Sequence, residues 1–242
     1  MNIIVSNTYE ELSNKAANAV IKDMQTRENP LLCVASGDSP TGLYKELAAR
    51  ADNGSLNISN WYFIGLDEWL GMNEKDEGSC YNYCMNHVFS PLKVKTDHIC
   101  FFNGRANDTD KECNRIESYI SEHGGIDTAI VGLGMNGHIG LNEPGTDPSL
   151  RTHVSTIDDV TQQVGQKYFT EQKQLTHGIT LGIATLMEAK HLVLLVSGKR
   201  KAEIVQKALE GEITPEVPAS LFRNHKNFTI YLDAESASLL KK

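Results

Sequence analysis

The chain has 242 residues, 40% of them hydrophobic, enough to bury one substantial core with room for a smaller flap. Its 23 basic and 31 acidic residues leave a net charge of −8, which argues against broad binding to nucleic acid or an anionic membrane but permits a local phosphate pocket. No export leader opens "MNIIVSNTYEEL", no apolar run reaches spanning length, and the five cysteines (Cys33, Cys80, Cys84, Cys100, Cys113) lack a C-x-x-C; free thiols in a cytoplasmic protein are expected.

Short apolar runs alternate with helical stretches. "NIIVS" (2–6) predicts a strand, followed by a helix with Leu12, Ala16, Val20 and Met24 on one face. "PLLCVA" (30–35) is the next strand, and it runs into Ser36-Gly37-Asp38-Ser39-Pro40-Thr41-Gly42. Ser39 reads as an N-cap with Pro40 at the first helical position, so this stretch is either a plain capped turn or an anion site at a helix start. It lacks the P-loop spacing. "NWYFIGL" (60–66) leads to Asp67-Glu68-Trp69, where adjacent acids point in different directions and only one can face a given pocket. That acid is either a solvated turn carboxylate or a partly desolvated general base.

"SCYNYCMNHVF" predicts a further helical stretch after a loop. "DHICFF" (97–102) is a strand, and the helix after it is stopped by Gly124-Gly125. "IDTAIVGLG" is the next strand, followed by an irregular region at about 142–178 with Pro144, Gly145 and Pro148, expected to act as a lid. "HLVLLVSG" (191–198) precedes Lys199-Arg200-Lys201, a cationic helix start from which one side chain at most turns inward. "NFTIYLD" (227–233) is the last strand. The near-continuous apolar strands predict a mainly parallel sheet in one α/β domain, with ligand chemistry beyond the strands' carboxyl ends.

Gly132, Gly134 and Gly137 match the G-x-G-x-x-G dinucleotide spacing. That fingerprint needs a helix beginning inside the motif, yet Gly140, Pro144 and Gly145 follow closely and no helical period develops. The same loop carries His138 and Glu143, an imidazole and carboxylate suited to proton transfer near neutral pH. No H-x-x-x-H or Cys/His cluster supports a metal.

The ordered set "SGDSPTGLYKEL", "GLDEWLG", "GLGMNGHIGLNEPG", "GITLGIATLMEA" and "VSGKRKAEIVQKALEG" resembles the amino-sugar-6-phosphate deaminase/isomerase family. The resemblance runs from about residue 30 to the C-terminus and is closest to the galactosamine-6-phosphate type, with the glucosamine type next. It implies a three-layer α/β/α sandwich on a Rossmann-like, mainly parallel sheet. The implied reaction opens the sugar ring, moves the carbonyl from C1 to C2 and releases ammonia, without cofactor or metal.

By resemblance, Asp67 takes the C2 proton and passes it to C1, while His138, oriented by Glu143, assists ring opening. Ser36, Gly37, Asp38, Ser39 and Thr41 hold the phosphate with Lys201, and Lys167 corresponds to a cationic contact on the lid. The partner is thus a small amino-sugar phosphate, with no nucleic acid and no membrane; a homo-oligomer is left open. Glucosamine-type members usually carry Asp two residues before the histidine, where this chain has Asn136. An amide hydrogen-bonds but does not neutralise, which leaves Glu143 as the main partner of His138 and reads as a galactosamine-type mark. "THVSTID" lacks a lysine of the allosterically regulated glucosamine-type enzymes, so activation by an acetylated sugar phosphate is not expected.

Two competing readings share the fold. A 6-phosphogluconolactonase carries a similar G-H loop but continues toward Leu-Phe-Pro, where this chain has Asn142-Glu143-Pro144, and needs no C2 base. A sugar-phosphate sensor would carry an N-terminal DNA-binding module, and about thirty residues without a basic helix precede the first motif.

Overall fold

A computed structural model describes residues 1–241. A seven-stranded sheet runs β1 (Asn2–Ser6), β10 (Phe228–Asp233), β9 (His191–Val196), β6 (Thr128–Gly132), β2 (Leu31–Val34), β3 (Tyr62–Gly65), β5 (Ile99–Cys100), in that spatial order. Every pairing in it is parallel. Its central strands are buried along their whole length and mostly apolar, because helices flank the sheet and neither face meets water. The architecture is the expected α/β sandwich.

Helix α1 (Tyr9–Met24) buries Leu12, Ala16, Val20 and Met24 completely, as their four-residue spacing predicts. Truncating Leu12 to Ala there would cost about 2–5 kcal/mol in lost burial and cavity formation. Thr8 caps this helix by accepting from the Glu11 N–H. Helix α4 (Thr109–Glu122) ends just before Gly124-Gly125 as expected.

Helix α2 (Asp38–Asp52) begins earlier than its sequence suggests. Its N-cap is Gly37, not Ser39, and Pro40 is the third helical residue rather than the first. Gly37 has φ +123°, a conformation that lets the chain turn from β2 into the helix at once and that a side chain would oppose. Pro40 is tolerated because the N–H groups of a first turn have no intrahelical partner.

Three strands too short and polar to announce themselves form a second, antiparallel sheet: β4 (Asp67–Trp69), β8 (His177–Thr180) and β7 (His153–Thr156), in that order. Asp67 and Glu68 therefore lie on a strand rather than in a turn, with Asp67 opposite Thr180. The 142–178 region is likewise more regular than expected, holding β7 and the short helix α5 (Asp159–Gly165).

The chain leaves β2 toward β3 and β5 on one side, then returns at β6 and proceeds to β9 on the other. The strand order thus reverses between β2 and β6. At such a point the loops beyond adjacent strand ends diverge and leave a crevice. Both the 36–42 stretch and the glycine-rich loop exit there.

Candidate active site

The crevice is walled by Ser36–Ser39 from the β2 exit, Asp67 from β4, Gly132–Met135 and His138 from the β6 exit, and Lys201 from beyond β9. Val160, Thr161, Val164, Lys167 and Tyr168, from α5 and the turn after it, close the remaining side.

Asp67 is 8% exposed, and burial pushes its carboxyl up to about 6, against the opposing pull of the Cys80 thiol and the His138 ring. Its neighbour Glu68 faces the other way, as alternation along a strand requires. Glu68 Oε1 accepts from the N–H of Trp69 (2.8 Å) and of Cys80 (2.9 Å), and Oε2 from that of Tyr81 (2.9 Å). It anchors the start of the short helix α3 (Cys80–Cys84). One acid of the pair serves the cleft and the other serves the fold.

No helix begins in the loop that follows β6, so the dinucleotide spacing of Gly132, Gly134 and Gly137 serves a different geometry. A Cβ on Gly134 would overlap the His138 ring, so the glycine admits the imidazole against the backbone. His138 Nδ1 lies 2.9 Å from Thr161 Oγ1 and 3.4 Å from Glu143 Oε2. The direct contact with Glu143 is long for a charge-assisted hydrogen bond, and the threonine contact is the shorter one. Burial pushes the Glu143 carboxyl up, but hydrogen bonds and charge from His138, with Asn136 and Thr161, outweigh it and hold it below its usual value.

Asn136 is central to this network. Its Nδ2 donates to Glu143 Oε2 (2.8 Å) and Asp158 Oδ1 (3.1 Å), while its Oδ1 accepts from the His138 N–H (3.2 Å). Asp158 is also the N-cap of α5, accepting from the Val160 N–H at 2.9 Å.

At the opposite wall, Lys201 Nζ donates to the Leu133 carbonyl. Burial, with help from Lys167 and Arg200, pulls its ammonium down to about 8. Lys199 and Arg200 are exposed, so one of the three cations faces inward, as expected. Lys167 Nζ pairs with Asp38 Oδ2 at 2.5 Å, across the cleft mouth.

Of the residues singled out in the sequence, Ser36, Gly37, Asp38, Ser39, Asp67, His138, Lys167 and Lys201 line one cleft. Glu143 and Asn136 stand directly behind His138. Thr41 does not line this cleft. Because α2 starts at Asp38, Thr41 falls in its second turn and its hydroxyl bonds the Gly37 carbonyl and Tyr83 (2.7 Å), toward an outer groove. Thr161, Asp158 and Cys80 were not foreseen; only the N-cap pattern of "DDVT" hinted at the first two. Among the described residues no group of three or more His, Cys, Asp or Glu side chains is placed to hold a metal ion.

A cleft at the switch point of a parallel sheet, holding a buried carboxylate, a carboxylate-backed imidazole and a half-buried lysine, is suited to an α/β enzyme that moves protons. The family model described as glucosamine-6-phosphate isomerases/6-phosphogluconolactonase matches residues 6–231. A glucosamine-6-phosphate deaminase of Thermoanaerobacter sp. (strain X514) is 38% identical over 99% of this chain and 95% of its own length. Another, from Clostridium novyi (strain NT), is 36% identical over 99% of this chain and all of its own. A solved monomeric glucosamine-6-phosphate deaminase superposes with a TM-score of 0.95 at 36% identity, covering 99% of this chain and 100% of the other. The 6-phosphogluconolactonase of Trypanosoma brucei, 21% identical with a TM-score of 0.75 over 99% of this chain and 98% of its own, shares the fold. The chain belongs to this family, in its amino-sugar-6-phosphate deaminase/isomerase branch.

Proposed function

We propose that this enzyme converts glucosamine 6-phosphate and water into fructose 6-phosphate and ammonia. The observation that carries the chemistry is that Asp67 and His138 face one cleft whose far wall holds Lys201 and the start of α2. The choice of sugar is supported by relatives named as glucosamine-6-phosphate deaminases over nearly their whole lengths.

In this reading His138 exchanges a proton with the ring oxygen and anomeric hydroxyl, opening the ring to the aldehyde. Its Nδ1 is engaged by Thr161 and Glu143, which leaves Nε2 for the sugar. Asp67 then removes the C2 proton and returns it to C1, leaving an imine at C2 that water hydrolyses to the ketone with loss of ammonia. Lys201, Lys167 and the first-turn N–H groups of α2 take the 6-phosphate, whose distance from the reacting carbons lets it supply orientation. The 142–178 segment acts as a lid.

A galactosamine 6-phosphate preference, expected from "LDEW", "NGHIGLNEPG" and "EVPASLFRNHKNF", is the second reading, and the amide at Asn136 favours it. Ammonia release and ketose-phosphate formation from both sugars, measured on purified protein, test the choice. A higher kcat/KM on glucosamine 6-phosphate is expected. The reverse order gives the galactosamine reading, and no turnover of either overturns the function.

A further inference from the structure

The residue two positions before His138 is an amide, yet the network behind the imidazole holds two carboxylates. One is Glu143 from the same loop. The other, Asp158, comes from the segment over the cleft, and a single Asn136 amide binds both. The hydroxyl nearest His138 Nδ1 is also from that segment, Thr161, one turn along α5.

We propose that this segment supplies part of the proton-transfer machinery: Thr161 links His138 Nδ1 to Glu143, and Asp158 provides through Asn136 the second carboxylate that the loop lacks, so His138 is set for ring opening only while α5 is docked. The inference rests on the function proposed above and names two positioning residues for it, neither touching the reacting carbons.

The Thr161 hydroxyl lies nearer Nδ1 (2.9 Å) than Glu143 Oε2 does (3.4 Å), and it stands within hydrogen-bonding reach of the Glu143 carboxylate, which favours a relay through the hydroxyl over a direct pair. When Nδ1 carries hydrogen it donates to Thr161 Oγ1, freeing the threonine hydrogen for the carboxylate of Glu143. The imidazolium is then paired with Glu143 through one intervening oxygen. Asn136 Nδ2 donates to both carboxylates, with a longer contact to Thr161 Oγ1 at 3.4 Å, and its Oδ1 accepts from the backbone N–H of His138. An acid at 136 would offer no such hydrogens and would stand against Glu143 and Asp158 together. The amide and the lid carboxylate are therefore a matched pair.

Three measurements test this. Thr161→Val keeps the shape and removes the hydroxyl; kcat should fall about tenfold or more, as expected for a hydrogen bond to a charged group, while KM stays within about twofold, and Thr161→Ser should recover most of the loss. An unchanged kcat, an effect confined to KM, or equal damage from Ser and Val overturns the role of Thr161. Asn136→Asp should lose about tenfold in kcat, and adding Asp158→Asn should recover several-fold of it; strictly additive losses overturn the pairing. The Nδ1 resonance of His138 in 15N-labelled protein should shift in Thr161→Val, and an unchanged resonance refutes the contact whatever sugar the enzyme uses. Failure of the wild-type protein to release ammonia would count against the function alone.

Discussion

Asp67 and Glu68 are neighbours on β4 with opposite destinations: Asp67 opens into the cleft, while Glu68, fully buried, gathers the N–H groups of Trp69, Cys80 and Tyr81. Glu68 thereby ties β4 to α3, and with the β8 pairing it helps hold the strand that presents Asp67. Glu68→Gln keeps the shape but makes one oxygen an amide that meets an N–H. A loss of about 1–3 kcal/mol is expected, read as a lower Tm, together with a fall in kcat as Asp67 shifts. An unchanged Tm would refute the anchoring role.

Asp67→Asn should lower kcat by about 10²–10⁴-fold while leaving the affinity for an unreactive hexitol 6-phosphate largely intact by calorimetry. The same change should stabilise the protein. Burial raises the folded-state value from 3.8 to about 6, so the folded chain holds this proton more tightly than the unfolded chain. Stability therefore falls as pH rises from about 4 to 6, and the ionised carboxylate costs on the order of 3 kcal/mol at most above that window. Asn removes that cost, so the gain in Tm should be large at pH 7 and small at pH 4. A variant that stays active means that the C2 base has been misassigned.

The pH dependence of kcat/KM should show two enzyme limbs. Activity falls below about pH 6 as Asp67 takes up a proton, and falls again above about pH 8 as Lys201 loses its charge. Lys201→Arg, whose charge persists, should move the alkaline limb upward. An alkaline limb that does not move assigns that titration to the sugar's own amine.

Asp38 and Lys167 face each other across the cleft mouth with side chains 70% and 43% exposed. A pair so exposed contributes at most about 1 kcal/mol to stability, so its consequence lies in binding. Asp38 occupies the cation that a phosphate needs and adds a negative charge beside it. Asp38→Asn should change Tm by no more than about 2–4 °C and lower KM for the sugar phosphate about two- to fivefold, roughly what release of an exposed pair of up to 1 kcal/mol allows. Lys167→Met should raise KM. If Asp38→Asn raises KM instead, Asp38 supports the site by holding Lys167 in place.

Much of this organisation is legible in the sequence. Seven apolar runs become the parallel strands, and the four-residue spacing of Leu12 to Met24 becomes the buried face of α1, because burial on both sides of a sheet writes itself into composition. Proline and glycine after His138 deny the loop a helix, and none forms. Less is legible where polar residues organise the chain. The strands β4, β7 and β8 have no continuous apolar signature, and the N-cap of α2 moved to Gly37 because a positive φ closes the turn sooner than a serine cap would.

The sequence by itself determined the strands of the parallel sheet, the place of the chemistry beyond their carboxyl ends and the residue types there, since periodicity depends on local patterns, whereas the strand order that sets the switch point came from the tertiary structure. Only the tertiary structure decided how those residues divide their work. It turned Glu68 inward and Thr41 outward, and it brought Thr161 to the imidazole and Asp158 to Asn136 behind it, each from more than twenty positions away. Such pairings carry no periodic signal, because a hydrogen bond joins whatever donors and acceptors the packing of distant elements leaves within reach.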